Sequence, residues 1–126
     1  MKKILVVDDD KNITAFLKAY LEDTGKYQVR AENSGKSGFE AALDFCPDLI
    51  LLDLMMKDLG GDGVADKLKS HPLLRKTPVI FLTGIVTKEE VKENGGVIGG
   101  YPYIAKPVLN MRELLDRLEA HIRKAD

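Results

Sequence analysis

Three short apolar runs recur along the chain, and segments with helical character lie between them. The runs are Ile4–Val7, Asp48–Asp53 and Pro78–Leu82, each with an unbroken series of aliphatic or aromatic residues in its interior. A strand with one solvated face alternates apolar and polar residues, whereas unbroken runs of this length are typical of parallel strands covered on both faces. The runs therefore predict a parallel sheet between two layers of helices.

The rest of the chain completes an alternation of five strands with five helices. Weaker strand patterns cover Tyr27–Ala31 and Tyr101–Ala105, and the proline inside the second favours a sheet edge. Amphipathic spacing, charge and terminating residues predict helices over residues 12–23, 34–45, 63–70, 87–94 and 109–124. Such alternation implies right-handed crossovers and a doubly wound α/β sheet.

Length and charge exclude several classes of protein. The 126 residues fit one domain over 1–126, and the single cysteine, Cys46, excludes a disulfide framework and is predicted to be a small core residue. The net charge is −1, so the chain lacks the excess of basic residues that is typical of a protein that binds nucleic acid directly. No segment reaches the roughly 18–20 apolar residues of a membrane span, and the first apolar run is too short for a secretory signal. The cytoplasm is the expected location.

Polar and charged residues follow the predicted strands at their carboxyl ends. They are Asp8 and Asp9 after the first strand, Asp53 at the end of the third, Thr83 after the fourth and Lys106 after the fifth. These ends share one edge of a doubly wound sheet, where ligands bind. Three carboxylates repel one another and a single lysine compensates only one charge, so the cluster predicts a hard divalent cation such as Mg²⁺. A metal beside a carboxylate nucleophile is suited to phosphoryl transfer.

The sequence resembles the receiver domain of two-component response regulators, the family that includes the chemotaxis regulator. Four segments carry the resemblance, in order and with matching spacing: Ile4–Asp10, Pro47–Met56, Pro78–Gly84 and Tyr103–Pro107. It implies a flavodoxin-like, doubly wound five-stranded parallel sheet in the order 2-1-3-4-5, with five helices on both faces. It also implies a phosphoryl group donated by a histidine kinase or phosphotransfer protein, and a signal passed to a downstream protein or a covalently linked output domain.

The resemblance implies a metal and phosphoacceptor site. Asp53 matches the aspartate that is phosphorylated in the family. Asp8 and Asp9 match the acidic pair that holds Mg²⁺, Asp9 more directly and Asp8 largely through water, with Mn²⁺ as a substitute ion. The carboxylate of Asp53 and the backbone carbonyl of Met55 would complete the protein ligands.

The same resemblance implies the residues that hold phosphate and respond to it. Lys106 matches the lysine that pairs with phosphate, and its bond to Pro107 is cis in the family. Gly84 matches a small residue whose backbone N–H can donate to phosphate. Thr83 matches the switch hydroxyl that turns towards the phosphoryl group, and Tyr103 matches the aromatic residue that moves inward with it.

Two segments depart from the family pattern. The family usually has proline where this chain has Lys57, so the loop is either more mobile or carries a positive charge near the site. Four glycines within residues 95–100 disfavour helix and predict a short or shifted fourth helix. The acidic residues that support a salt-bridged dimer in many transcription regulators are absent ahead of Tyr103. We therefore expect a monomer or weak dimer with an unusual output surface.

A phosphatase of the haloacid dehalogenase type is the alternative with enzymatic turnover. That family also uses an aspartate nucleophile, Mg²⁺, threonine and lysine, but it needs a second aspartate two residues after the first as general acid. Met55 occupies that place here. We therefore expect no turnover of a separate metabolite, only phosphorylation and dephosphorylation of the chain itself.

Two non-catalytic alternatives share the predicted fold. A flavodoxin-like module would bind FMN through backbone N–H groups after the first strand, but Asp8–Asp10 would repel the phosphate there. A pseudo-receiver would keep the fold as a docking module that works without phosphorylation. The complete set of aspartates, threonine and lysine argues against this second alternative.

Overall fold

In the described part of the chain, eleven elements follow one another in the order that the sequence predicts, with one addition. The computed structural model describes residues 1–84, 87–98, 100–106, 108 and 110–125. The elements are β1 (Lys2–Val7), α1 (Lys11–Asp23), β2 (Tyr27–Glu32), α2 (Gly35–Phe45), β3 (Leu49–Leu52), α3 (Gly61–Ser70), β4 (Val79–Thr83), α4 (Lys88–Glu93), β5 (Val97–Ile98), β6 (Tyr101–Ala105) and α5 (Met111–Ala125). Every predicted element is present, with ends within two residues of the predicted ones.

The sheet has the strand order β2-β1-β3-β4-β6-β5. Its first five members are parallel neighbours, and β6 is the fifth strand of the prediction. The doubly wound order 2-1-3-4-5 is therefore confirmed. This order places the carboxyl ends of β1, β3, β4 and β6 side by side at one edge of the sheet.

The added strand, β5, comes from the glycine-rich segment. It is two residues long, pairs antiparallel with the start of β6 and forms the edge of the sheet. Gly96 and Gly100 flank it with φ angles of +83° and +87°, a backbone region that glycine enters at little cost. The six-residue α4 contacts β6 and ends just before this turn, which confirms the prediction of a short fourth helix.

The core has two halves, one on each face of the sheet. Successive residues of a strand point to opposite faces, so Ile4 and Val6 join one half while Leu5 and Val7 join the other. The first half is closed by α1 and α5, and the second by α2 and α3. Burial of both faces explains why the strand runs are apolar without interruption.

The helices are short relative to a bilayer. The longest, α5, has 15 residues, whereas a membrane span needs about 20. In the described part of the chain, no helix combines the length and the apolar character needed to cross a membrane.

Cys46 is exposed, so the prediction that it is a small core residue is wrong. It ends α2 in the left-handed conformation with φ +50°, and its N–H donates to the Ala42 carbonyl at 3.0 Å. The cause is the sharp reversal between α2 and β3, which turns this residue outward. Among the described residues, no other non-glycine residue has a positive φ.

Replacing Cys46 by glycine is expected to raise the free energy of unfolding by about 0.5–1 kcal/mol. Glycine removes the Cβ strain of the left-handed conformation, and the larger entropy of the unfolded glycine chain offsets part of this gain. Urea denaturation measures the difference. Cys46→Ala is the control, because it removes the thiol and keeps the strain. A glycine variant no more stable than the alanine variant would contradict the prediction.

Candidate functional site

Four side chains converge where the parallel strands end. Asp8 follows β1, Asp53 follows β3, Thr83 ends β4 and Lys106 follows β6. Asp8, Asp53 and Thr83 are buried, with 2%, 6% and 0% of their surface exposed. Carboxylates are almost never buried to this degree without partners. Their burial here implies a built site.

Three carboxylates and one ammonium group form the centre of this site. One oxygen from each of Asp8, Asp9 and Asp53 lies within 4.8 Å of the others. The Lys106 Nζ is 2.5 Å from Asp8 Oδ2 and 3.6 Å from Asp53 Oδ2. One positive charge therefore faces three negative groups, and the cluster carries an excess of negative charge when all three are ionised.

Burial and this excess of negative charge both affect the ionisation of Asp53. Burial raises the pKa of the Asp53 carboxyl above its usual value, and the negative charge of Asp8 raises it further. The ammonium group of Lys106 and a hydrogen bond from the Met55 N–H act in the opposite direction, but they do not cancel these effects. Ionisation of Asp53 therefore costs more free energy in the folded protein than in water, and a further positive charge at the site would reduce that cost.

The ligand atoms of the cluster suit a hard cation. Each of the three aspartates offers a carboxylate oxygen, and neither histidine nor cysteine belongs to the group found in the described residues. Oxygen ligands of this kind favour Mg²⁺ over zinc, which prefers nitrogen and sulfur. The side chain of Met55, two residues after Asp53, is exposed.

The loop between β1 and α1 holds its aspartates through a short network. The Asp8 Oδ1 accepts from the Asp10 N–H at 2.9 Å, while the Asp10 carboxylate caps α1. The Asn33 side-chain amide donates to the Asp8 carbonyl at 2.8 Å and to the Thr14 hydroxyl at 2.9 Å. These hydrogen bonds orient Asp8 and do not involve Lys106.

Asn33 and Thr14 were not predicted as part of the site. No motif marks either residue, since asparagine after a strand and threonine in a first helical turn are common in ordinary caps and turns. The one available signal was indirect. Asn33 directly follows β2, which neighbours β1, so its side chain starts next to the loop that carries Asp8.

Thr83 and Tyr103 lie on the same face of adjacent strands. Tyr103 pairs with Phe81 in the register of β4 and β6, and Thr83 is two residues beyond Phe81 on the same face. The rings of Phe81 and Tyr103 are 5.1 Å apart between centroids. Burial and the nearby charge of Asp62 raise the pKa of the half-buried Tyr103 hydroxyl. Tyr103 is therefore the diagonal neighbour of Thr83 on this face of the sheet.

Two further expected groups flank the centre. Gly84 is exposed immediately after Thr83, so its backbone lies open at the rim of the site. The Lys106 N–H donates to the Thr83 carbonyl at 2.9 Å, which ties the ends of β4 and β6 together. Pro107, at which a cis bond is expected, lies outside the described residues.

Comparisons with known proteins support one family. The sequence model described as the response regulator receiver domain matches residues 4–119. The chain is 36% identical over 124 residues to the response regulator ArlR of Staphylococcus saprophyticus, covering 98% of this chain and 54% of that protein. It is 36% identical over 122 residues to the transcriptional regulatory protein RprY of Bacteroides fragilis, covering 97% and 50%. The chain thus spans about half the length of these relatives.

Solved structures give the same result for the fold. The receiver domain of the Francisella response regulator 1452 matches with a TM-score of 0.81 and 28% identity, covering 100% of both chains. The Vibrio cholerae chemotaxis protein CheY4 matches with a TM-score of 0.79 and 27% identity, covering 95% of this chain and 98% of that one. These proteins have the same doubly wound arrangement as the present chain.

Proposed function

The chain belongs to the response regulator receiver domain family and is a phosphoacceptor domain of two-component signalling, and we propose that Asp53 is the residue that accepts the phosphoryl group. The observation that carries this proposal is the buried Asp53 carboxylate beside two further carboxylates and the Lys106 ammonium group. The family membership disfavours the dehalogenase and flavodoxin alternatives. The pseudo-receiver differs from the proposed function only in its chemistry.

The proposed step is an in-line transfer to an oxygen atom of Asp53. The carboxylate oxygen forms a bond to phosphorus, the bond from phosphorus to the donor breaks, and the leaving group departs with the electron pair of that bond. Bound Mg²⁺, held by Asp8, Asp9, Asp53 and the Met55 carbonyl, would supply positive charge for the phosphoryl oxygens. In the proposal, Lys106 exchanges part of its contact with the carboxylates for a phosphoryl oxygen.

The remaining site residues are proposed to detect the phosphoryl group once it is attached. The Thr83 hydroxyl would donate to one phosphoryl oxygen, and the Gly84 N–H to another. Because Tyr103 is the diagonal neighbour of Thr83 on the same face, a shift of Thr83 towards the site opens room for the Tyr103 ring. We propose this pair as the switch that carries the signal to the surface of α4 and β6.

The proposed partners follow from the relatives and from the charge of this chain. The donor is proposed to be a histidine kinase or phosphotransfer protein. The transcriptional regulatory protein RprY is about twice as long as this chain, so the output is proposed to lie in a linked domain or a separate protein. With a net charge of −1, this domain is proposed to make no direct contact with nucleic acid and to act as a monomer or weak dimer.

Acetyl phosphate tests the proposed chemistry directly. We expect the wild-type chain to gain one phosphoryl group by intact mass when acetyl phosphate and Mg²⁺ are both present. No gain is expected without Mg²⁺, or for Asp53→Asn, which keeps the shape of the side chain and removes the nucleophile. A wild-type chain that takes no phosphoryl group and does not bind beryllofluoride would instead be a pseudo-receiver. A gain by Asp53→Asn would place the phosphoryl group elsewhere.

A further inference from the structure

The loop between β3 and α3 is attached to the start of α2 by one side chain. Asp58 Oδ1 accepts from the Gly35 N–H and Oδ2 from the Lys36 N–H, both at 2.9 Å. These two N–H groups belong to the first turn of α2, where no partner exists within the helix. A two-oxygen contact from an anion at a helix start is charge-assisted and directional.

The capping of α2 comes from two independent sources. The Asp58 carboxylate accepts hydrogen bonds from the N–H groups of Gly35 and Lys36. The hydroxyl of Ser34 accepts one from the Ser37 N–H at 3.1 Å. The hydrogen bonds from Lys36 and Gly35 are the main reason that the pKa of Asp58 is lowered to about 2. Only one of the two caps connects the helix to another part of the molecule, and that one is Asp58.

The contact between loop and helix is too close for any residue but glycine at position 35. A Cβ atom at Gly35 would lie 2.5 Å from the Leu59 carbonyl oxygen and 2.8 Å from the Leu59 Cβ. Real Cβ atoms do not approach other atoms so closely. The backbone of the loop at Leu59 therefore packs directly against the first turn of α2, next to the two hydrogen bonds of Asp58.

The other part of the loop is tied to the phosphoacceptor strand. The Gly61 N–H donates to the Leu54 carbonyl at 2.9 Å, and a Cβ atom at Gly61 would overlap the Asp53 carbonyl oxygen. The Met55 N–H is close enough to the Asp53 carboxylate to lower the pKa of Asp53. The segment that presents Met55 is thus held at one side by β3 and α3, and at the other side by Asp58.

We propose that Asp58 is a positioning residue for the phosphorylation site. Lys57 stands where a proline would restrict the backbone, so no covalent restraint orders this part of the loop. The two hydrogen bonds of Asp58 supply that order instead, and they hold Met55 where its N–H reaches Asp53 and its carbonyl can serve the metal. This inference rests on the proposed function, because it assigns Asp58 to the same site.

The test compares Asp58→Ala with Ser34→Ala, since each removes one of the two caps of α2. Mg²⁺ affinity is measured by calorimetry without any phosphoryl donor, and the phosphorylation rate by acetyl phosphate is then measured across Mg²⁺ concentrations. We expect Asp58→Ala to weaken Mg²⁺ binding by about threefold to tenfold, with a rate that recovers at high Mg²⁺. Ser34→Ala is expected to lower thermal stability and to leave Mg²⁺ affinity unchanged. Asp58→Asn, which keeps one acceptor oxygen, is expected to lie between wild type and Asp58→Ala.

Three results separate the outcomes. If Asp58→Ala binds Mg²⁺ as the wild type does, the positioning role is overturned. If Ser34→Ala weakens Mg²⁺ binding equally, the effect belongs to the stability of α2, and the proposal is also overturned. If the wild type binds Mg²⁺ but takes no phosphoryl group, the proposed function fails, while the comparison of Mg²⁺ affinities still decides the role of Asp58.

Discussion

Replacing Lys106 by methionine is expected to slow phosphorylation of Asp53 by acetyl phosphate by about a hundredfold or more. Its ammonium group lies 2.5 Å from Asp8 and 3.6 Å from Asp53, where it can meet the charge that develops on the transferred group. Loss of one preorganised donor to such charge typically costs about 10²–10³ in rate. Methionine keeps the length of the side chain. Intact-mass time courses at saturating Mg²⁺ measure the rate.

A control substitution at Lys26 and a measurement of Mg²⁺ affinity show whether the slower rate is specific to Lys106. Lys26 also pairs with one carboxylate, Glu119 at 3.1 Å, but it lies just before β2, at the end of the sheet opposite the site. Lys26→Met is expected to leave the rate unchanged. Lys106→Met is expected to bind Mg²⁺ at least as well as wild type, because removal of the ammonium group leaves more negative charge in the cluster. A rate within threefold of wild type would contradict a phosphate-binding role for Lys106.

The parallel sheet could be predicted because each of its buried strands appears in the sequence as a run of successive apolar residues. A strand with helices on both faces must be apolar at successive positions, and Ile4 to Val7 meet that demand with two residues in each half of the core. The antiparallel β5 could not be predicted in the same way. Two residues give no periodicity, and its pairing depends on turns at Gly96 and Gly100 whose conformation a glycine permits but does not dictate.

The residues at the centre of the site could be predicted from the topology, whereas the residues that hold the surrounding loops could not. Asp8, Asp53 and Lys106 come together because parallel strands place their carboxyl ends at one edge. The contacts of Asn33 and Asp58 connect loops that are distant in sequence, 25 residues from Asn33 to Asp8 and 23 from Asp58 to Gly35. A polar residue in a loop is solvated by default, so only the coordinates distinguish these two from their neighbours.

Without divalent cations, Asp53→Asn is expected to be more stable than the wild type by about 1–2 kcal/mol near neutral pH. Asparagine removes one of three clustered carboxylates, leaves Lys106 beside Asp8, and keeps an oxygen that can accept from the Met55 N–H. Repulsion between carboxylates about 4 Å apart is worth about 4 kcal/mol before Lys106 and solvent offset it. Urea denaturation in EDTA measures the difference.

The difference in stability between the wild type and Asp53→Asn is expected to depend on pH. The pKa of Asp53 is raised in the folded protein above the ordinary 3.8, so the unfolded chain releases this proton first as the pH rises. The stability of the wild type relative to Asp53→Asn therefore falls from about pH 4 up through the folded pKa, and stays reduced above it. Mg²⁺ should return this stability to the wild type far more than to the variant. Asp66→Asn, which replaces an exposed carboxylate of α3, should leave the response to Mg²⁺ unchanged. Equal stability of wild type and Asp53→Asn at pH 7 in EDTA would mean that the cluster is already neutralised without metal.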